Sequence, residues 1–201
     1  MITESYPMPA AMPDNVPGWQ PDPRRAALLV HDLQNYFVGL LPDPGGLLAN
    51  AATLVTAARR AGLPVFYTAQ PGRMTPADRG LLLDFWGPGM PPDPAARAIA
   101  DAVAPSAGDT VLTKWRYSAY HRSDFHAQLA GRDQLILCGV YAHVGIQMTA
   151  ADAYCRDVEV FVAGDAVADF TERHHRQALE WMAATCAVVS TTADLSAALA
   201  P

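Results

Sequence analysis

The stretch from Ala26 to Phe37, AALLVHDLQNYF, constrains the fold most, because a five-residue apolar run, Ala26 to Val30, gives way within two residues to a carboxylate, Asp32. An apolar run this short, with no polar alternation, suits a strand covered on both faces, as in a parallel sheet. Asp32 then falls where the strand ends. In open α/β sheets the carboxyl ends of the strands form the ligand crevice, so position alone makes Asp32 a functional candidate. Asp is equally at home as a helix cap or turn former, which leaves two readings open at this point.

Similar runs recur along the chain. An Ala-rich helical pattern from Leu47 to Arg60 stops at Gly62, and Pro64 to Ala69 reads as a second strand, giving a βαβ unit with a right-handed crossover. Thr110–Thr113, Gln134–Val140, Glu159–Ala163 and Ala187–Ser190 read as four further strands, the last at an edge. Helical patterns cover Pro94 to Val103, a segment closing at Leu129, Ala142 to Val158, and a helix running to Ala184 that Asp169 and Glu172 open as a capping box. A short Ala-rich helix ends the chain. The alternation predicts an α/β protein, a three-layer α/β/α domain over residues 26–201 with a mostly parallel sheet of about six strands. Residues 1–25 carry Pro7, Pro9, Pro13, Pro17, Pro21 and Pro23, so they are expected to form an extended arm packed on the domain through Met8, Met12, Val16 and Trp19. The glycine- and proline-rich segment from Gln70 to Pro92 is long for a connection and is expected to act as a lid.

Composition removes several function classes. A net charge of −6 argues against nucleic-acid and anionic-membrane surfaces, while leaving room for a local basic pocket. Cys138, Cys155 and Cys186 are odd in number and lack C-x-x-C spacing, so they are expected to be buried thiols in a reducing cytoplasm. No charged and apolar leader pattern opens the chain and no apolar run approaches membrane-spanning length, which also points to the cytoplasm.

Asp32, Gln70 and Lys114 fall at the ends of the first three predicted strands, and parallel strands bring such ends to one edge of the sheet. Taken singly, Lys114 would pass for an exposed cation. The surrounding KWRYSAYHR interleaves cations with aromatics, as an anion pocket with apolar walls requires, although a half-buried loop has the same composition. His31 is expected on the opposite side of its strand from Asp32, making structural hydrogen bonds. His174 and His175 are helix neighbours about 100° apart that cannot share one metal and are expected at the surface.

The segments LLVHDLQNYF, FYTAQPG, DRGLLLDFWGPG, LTKWRYSAYHRS, CGVYAHVG and VAGDAVADF, in this order, resemble the isochorismatase-like branch of the cysteine hydrolase superfamily. The resemblance implies an isochorismatase-like α/β fold, with Asp32 and Lys114 as catalytic residues and Gln70, Arg79, Trp86, Tyr117, Tyr141 and Gly145 as substrate contacts. Amidase members of the superfamily place a nucleophilic cysteine where this chain has Gly145, so amide hydrolysis is not expected. The implied reaction is hydrolysis of an isochorismate-type vinyl ether to pyruvate, with general-acid catalysis by Asp32 and no cofactor. Metal-binding members use an Asp-x-His arrangement with a further histidine; the lid here contains no histidine, and no metal is expected. The resemblance is closest to the branch of phenazine biosynthesis that acts on 2-amino-2-deoxyisochorismate. A carrier-free isochorismatase of a siderophore pathway and an inactive binding relative are the alternatives. Relatives are commonly oligomeric, and a homodimer is expected, with the arm and Trp19 as apolar surface to bury.

Overall fold

A computed structural model describes residues 3–200; Met1 and Ile2 of the expected arm and the terminal Pro201 lie outside the described residues. Six strands, β1 (Ala26–His31), β2 (Val65–Ala69), β3 (Thr110–Thr113), β4 (Gln134–Val140), β5 (Glu159–Ala168) and β6 (Ala187–Ser190), form one parallel sheet in the order β3-β2-β1-β4-β5-β6. The chain moves outward from β1 through β2 to β3, then returns to the other side of β1 as β4. The order therefore reverses between β1 and β4, and the crevice expected at such a switch point opens where Asp32 and Tyr141 follow those two strands.

The helices are α1 (Asn35–Val38), α2 (Gly45–Arg60), α3 (Pro76–Arg79), α4 (Leu82–Trp86), α5 (Pro94–Arg97), α6 (Phe125–Gln128), α7 (Gln147–Tyr154), α8 (Glu172–Thr185) and α9 (Thr192–Ala198). Strand periodicity sorts β1 between two cores. Ala26, Leu28 and Val30 face Leu47 and Leu54 of α2 and Leu195 of α9, while Ala27 and Leu29 face Ala150 of α7 and Leu179 and Met182 of α8. Each leucine so buried stabilises the fold by ~1.5–3 kcal/mol, and this two-sided burial is what the uninterrupted apolar run encodes. Helix α2 ends as expected: Gly62 takes φ 73°, its N–H donates to Arg59, and that of Leu63 donates to Ala58. These two bonds satisfy carbonyls the helix leaves open.

Several boundaries differ from the sequence reading. The helix expected over Pro94–Val103 breaks at Ala98, because Ile99 bridges to Gln34 and the Asn35 N–H donates to the Ala98 carbonyl; Asp101–Val103 is a separate 3-10 turn. β5 runs on to Ala168 through Gly164 and Asp165, residues that read as a turn. Met12 packs closely over Gly164, where a Cβ would stand 2.3 Å from the Met12 sulfur. The helix expected to open at Asp169 is capped instead by Thr171, whose side chain accepts the His174 N–H. The helix expected from Ala142 begins as a π-helical turn, Ala142–Ile146, before α7.

Along the arm, Tyr6 accepts the Asp169 N–H, Asn15 exchanges two hydrogen bonds with Val189, and Met8 and Trp19 pack against the first core. Val16 does not pack; its backbone bonds to Ala183 and its side chain is 78% exposed. Of the cysteines, Cys138 and Cys186 are buried as expected, but Cys155 is exposed where α7 ends. His175 is buried rather than at the surface, because it lies between the Tyr6 hydroxyl and the Gly164 carbonyl.

Candidate active site

Asp32 and Lys114 meet at the sheet edge, Nζ to Oδ2 at 3.0 Å, and both are buried. Asp32 takes φ 52°, which turns the chain out of strand geometry. For that reason the strict alternation expected between His31 and Asp32 fails, and the His31 Nδ1 lies 3.7 Å from Asp32 Oδ2. Thr68 completes the surroundings of the acid: its hydroxyl donates to Oδ1 at 2.5 Å while accepting the Asp32 N–H at 3.0 Å. The Gln70 amide stands 3.5 Å from Oδ2. Gln70 is itself clamped by Gln34, which accepts its N–H and donates to its carbonyl.

Burial pushes the Asp32 carboxyl up, but the Lys114 charge, the neighbouring His31 and the Thr68 hydrogen bond outweigh it and hold the group below the usual carboxylate range. Burial also lowers Lys114, against the pull of Asp32. The free site therefore holds an ionised Asp32 at neutral pH, close-paired with the lysine.

His31 makes the structural hydrogen bond expected of it, Nδ1 to the Val140 carbonyl at 2.9 Å. A carbonyl only accepts, so Nδ1 carries the proton. Burial, helped by the nearby Lys114 charge, lowers its pKa to about 4 and leaves the ring neutral. The same ring fills the space beside Gly145, where an added Cβ would lie 2.2 Å from His31 Cε1. The absent thiol is thus more than a missing sulfur: the seat a side chain at position 145 would need is taken by an imidazole. Neither remaining candidate replaces it, since Cys138 is buried within β4, its thiol pushed up to about 12, and Cys155 is at the surface.

A cavity of about 220 Å³ is lined by five of the six expected substrate contacts, Gln70, Arg79, Trp86, Tyr117 and Tyr141, and Gln70 links it to Asp32. Gly145, Asp32 and Lys114 do not line it. The remaining wall, Tyr36, Phe37, Leu40, Met90, Val144 and Phe170 among others, was not foreseen. Trp86 donates to the Tyr117 hydroxyl at 2.8 Å, and Tyr141 donates to the Phe37 carbonyl at 2.7 Å. Burial pushes the Tyr141 phenol far above its usual range, so it serves as a neutral wall.

Arg79 is buried, with Nε bonded to the Gly87 carbonyl at 2.9 Å. Burial lowers its pKa, and the charged or titratable neighbours it feels are Tyr36, Arg116 and Tyr117, with no carboxylate among them. Gly89, at φ 77°, gives the guanidinium its room, since a Cβ there would lie 2.7 Å from Arg79 Cζ. A buried cation facing a cavity with no anion of its own suits an anionic ligand. In the turn after β4, the amides of His143, Val144 and Ile146 are already engaged, by Asp169 and by the Tyr141 carbonyl.

Residues 26–194 match the isochorismatase domain model. The chain is 52% identical to the phenazine biosynthesis protein PhzD1 of Pseudomonas aeruginosa over 95% of both chains. It is 46% identical to an isochorismatase of Bacillus subtilis, over 96% of this chain and 64% of that one. A solved cysteine hydrolase from Pseudomonas syringae superposes with a TM-score of 0.83 at 25% identity, over 90% of this chain and 95% of that one. The chain belongs to the isochorismatase family.

Proposed function

We propose that the chain hydrolyses the vinyl ether of an isochorismate-type dianion, 2-amino-2-deoxyisochorismate in preference to isochorismate, as a step of phenazine-type biosynthesis. The observation that carries this is the pairing of a buried acid, Asp32, with a position 145 that has no nucleophile and no room for one. The near full-length likeness to a phenazine biosynthesis protein supports the choice of pathway. Asp32 protonates the terminal =CH₂ carbon, which becomes a methyl group, and the ether carbon becomes an oxocarbenium ion. Water adds to that ion and loses a proton. The hemiketal then breaks the bond between its carbon and the ring oxygen, its hydroxyl proton passing to that oxygen, giving pyruvate and trans-2,3-dihydro-3-hydroxyanthranilate. Proton transfer to carbon needs one acid and no covalent intermediate.

In this scheme Asp32 takes up its proton as substrate binds: the incoming carboxylate draws on Lys114, and loss of the remaining water favours the neutral acid. Lys114 steadies Asp32 again once the proton has left. Arg79 and Gln70 hold one substrate carboxylate, while Trp86, Tyr117 and Tyr141 form the dry wall. At about 220 Å³ the cavity is smaller than typical ligand pockets of ~300–1,000 Å³, so the lid and the Gln70 amide give way on entry.

The chain works, in this proposal, as a cytoplasmic homodimer. Trp19 is packed on its own core and is not the surface to bury; the lid instead presents Leu81 and Phe85, 78% and 77% exposed. Among the described residues no helix is long and apolar enough to cross a membrane. Coupled detection of pyruvate with each substrate tests the function. Release from the amino substrate with the higher kcat/KM is expected; a preference for isochorismate would transfer the chain to a siderophore-type role, and release from neither would overturn the proposal.

A further inference from the structure

Beyond the substrate cavity, three potential metal ligands come from three separate elements: His143 from the turn after β4, Asp169 from the end of β5, and His174 from the first turn of α8. One atom of each lies within 4.8 Å of the other two. Asp169 is no loose surface acid. It is fully buried, and the backbone N–H groups of His143 and Phe170 each donate to its carboxylate at 2.7 Å. The His143 Nδ1 also faces that carboxylate at 2.7 Å, and the two imidazoles lie against each other with centroids 4.6 Å apart. His174 Nδ1 is buried and has no hydrogen-bond partner among the described residues. A buried nitrogen is rarely left this way, and here it lies beside a second imidazole and a carboxylate.

We propose that His143, Asp169 and His174 bind one first-row divalent cation of the zinc or nickel class, at a site separate from the hydrolytic centre. Two imidazoles and one carboxylate form the donor set such ions prefer. A tetrahedral ion with bonds near 2.1 Å spaces its ligands by about 3.4 Å, so His143 and Asp169 must part slightly from 2.7 Å while His174 draws in. His174, only half-buried, supplies that movement by side-chain rotation. Arg173 and Glu4 line the same open depression. The two imidazoles disfavour magnesium or calcium, which take oxygen ligands, and favour an ion bound through nitrogen lone pairs. The open side leaves a position for water. Phe170 and Trp86 line both this depression and the substrate cavity, so the ion would tie the turn bearing Gly145 to α8 from behind.

Titration calorimetry of chelator-treated full-length chain with Zn²⁺ tests the site, with Mg²⁺ as the contrast and His174→Ala, His143→Gln and the remote His126→Ala as variants. The expected result is one equivalent bound in the micromolar range or tighter, weaker by at least about tenfold in His174→Ala and His143→Gln and unchanged in His126→Ala, with Mg²⁺ silent. Zn²⁺ should also raise the thermal midpoint of the parent but not of His174→Ala. Absence of saturable binding below millimolar Zn²⁺, or equal affinity in the parent and both cluster variants, would overturn the proposal. Pyruvate release plays no part in this readout, so failure here leaves the proposed reaction standing, and the reverse.

Discussion

The proposed catalytic pair and the proposed substrate-holding residues rest on different kinds of scaffold. Asp32 and Lys114 follow β1 and β3, strands held in register by the parallel sheet, β1 buried on both faces at its centre and β3 at its edge with Leu112 buried. Arg79 and Trp86 stand on α3 and α4, helices of four and five residues that are too short to be stable alone. What orders the lid is a set of individual bonds: the Thr75 cap on Asp78, Arg79 to Gly87, Arg116 to the Asp78 carbonyl, and Trp86 to Tyr117. In the proposed mechanism the chemistry therefore falls on the rigid half and recognition on the half that opens, so damage to the two halves should separate into rate and binding effects.

Lys114 is where that separation should fail most, because it serves both halves. Lys114→Ala removes a cation that meets the substrate and leaves Asp32 buried without its counter-ion, so binding should weaken and turnover slow together. A loss confined to KM, read from steady-state pyruvate release, would make it a lid-type residue.

The pH profile sharpens the same point. With Asp32 held low in the free site, the reactive protonated form grows scarcer as pH rises. The parent kcat/KM should fall from pH 5 to 8 with a limiting slope of about tenfold per unit, while kcat, set within the complex, falls less. In Lys114→Ala, burial is no longer outweighed, Asp32 rises, and the decline should begin at higher pH. A flat parent profile would mean that the proton comes from within the Asp32–Lys114 pair.

Arg79→Ala should act on binding alone. Loss of a charge-assisted hydrogen bond to substrate costs about 1.5–3 kcal/mol, a rise in KM of roughly 10- to 150-fold with kcat nearly unchanged. An equal fall in kcat would erase the distinction between the halves.

Gly145→Ala probes the rigid half without touching charge. Its Cβ would meet the His31 ring, which is pinned by the Val140 carbonyl, so overpacking should destabilise the fold by ~1–3 kcal/mol in urea denaturation. Adding His31→Ala should recover part of that loss; a neutral Gly145→Ala would mean that the ring is free to move.

The strands were legible in the sequence because burial on both faces leaves an unbroken apolar run, as in QLILCGV of β4. The second half of β5 was not, because Gly164 and Asp165 carry turn chemistry while serving contacts with Met12 and with Thr192. Asp32 and Lys114 were legible as polar residues at strand ends. Thr68 was not, since a threonine within a strand looks like β-propensity and only the φ 52° turn at Asp32 reveals its double hydrogen bond. His31 was assigned its hydrogen bond, but its contact with Gly145 spans two strands and has no local signal. His143, Asp169 and His174 have no local signal either, because tertiary packing draws them together from three elements.

Asp32→Asn tests the central claim most directly, through single-turnover pyruvate formation measured beside equilibrium substrate binding. The amide keeps the size and much of the hydrogen bonding of the acid but has no proton to deliver, so substrate should still bind while the rate drops by at least ~10²–10⁴-fold. Turnover within a few fold of the parent would show that the proton comes from elsewhere and would contradict Asp32 as the acid.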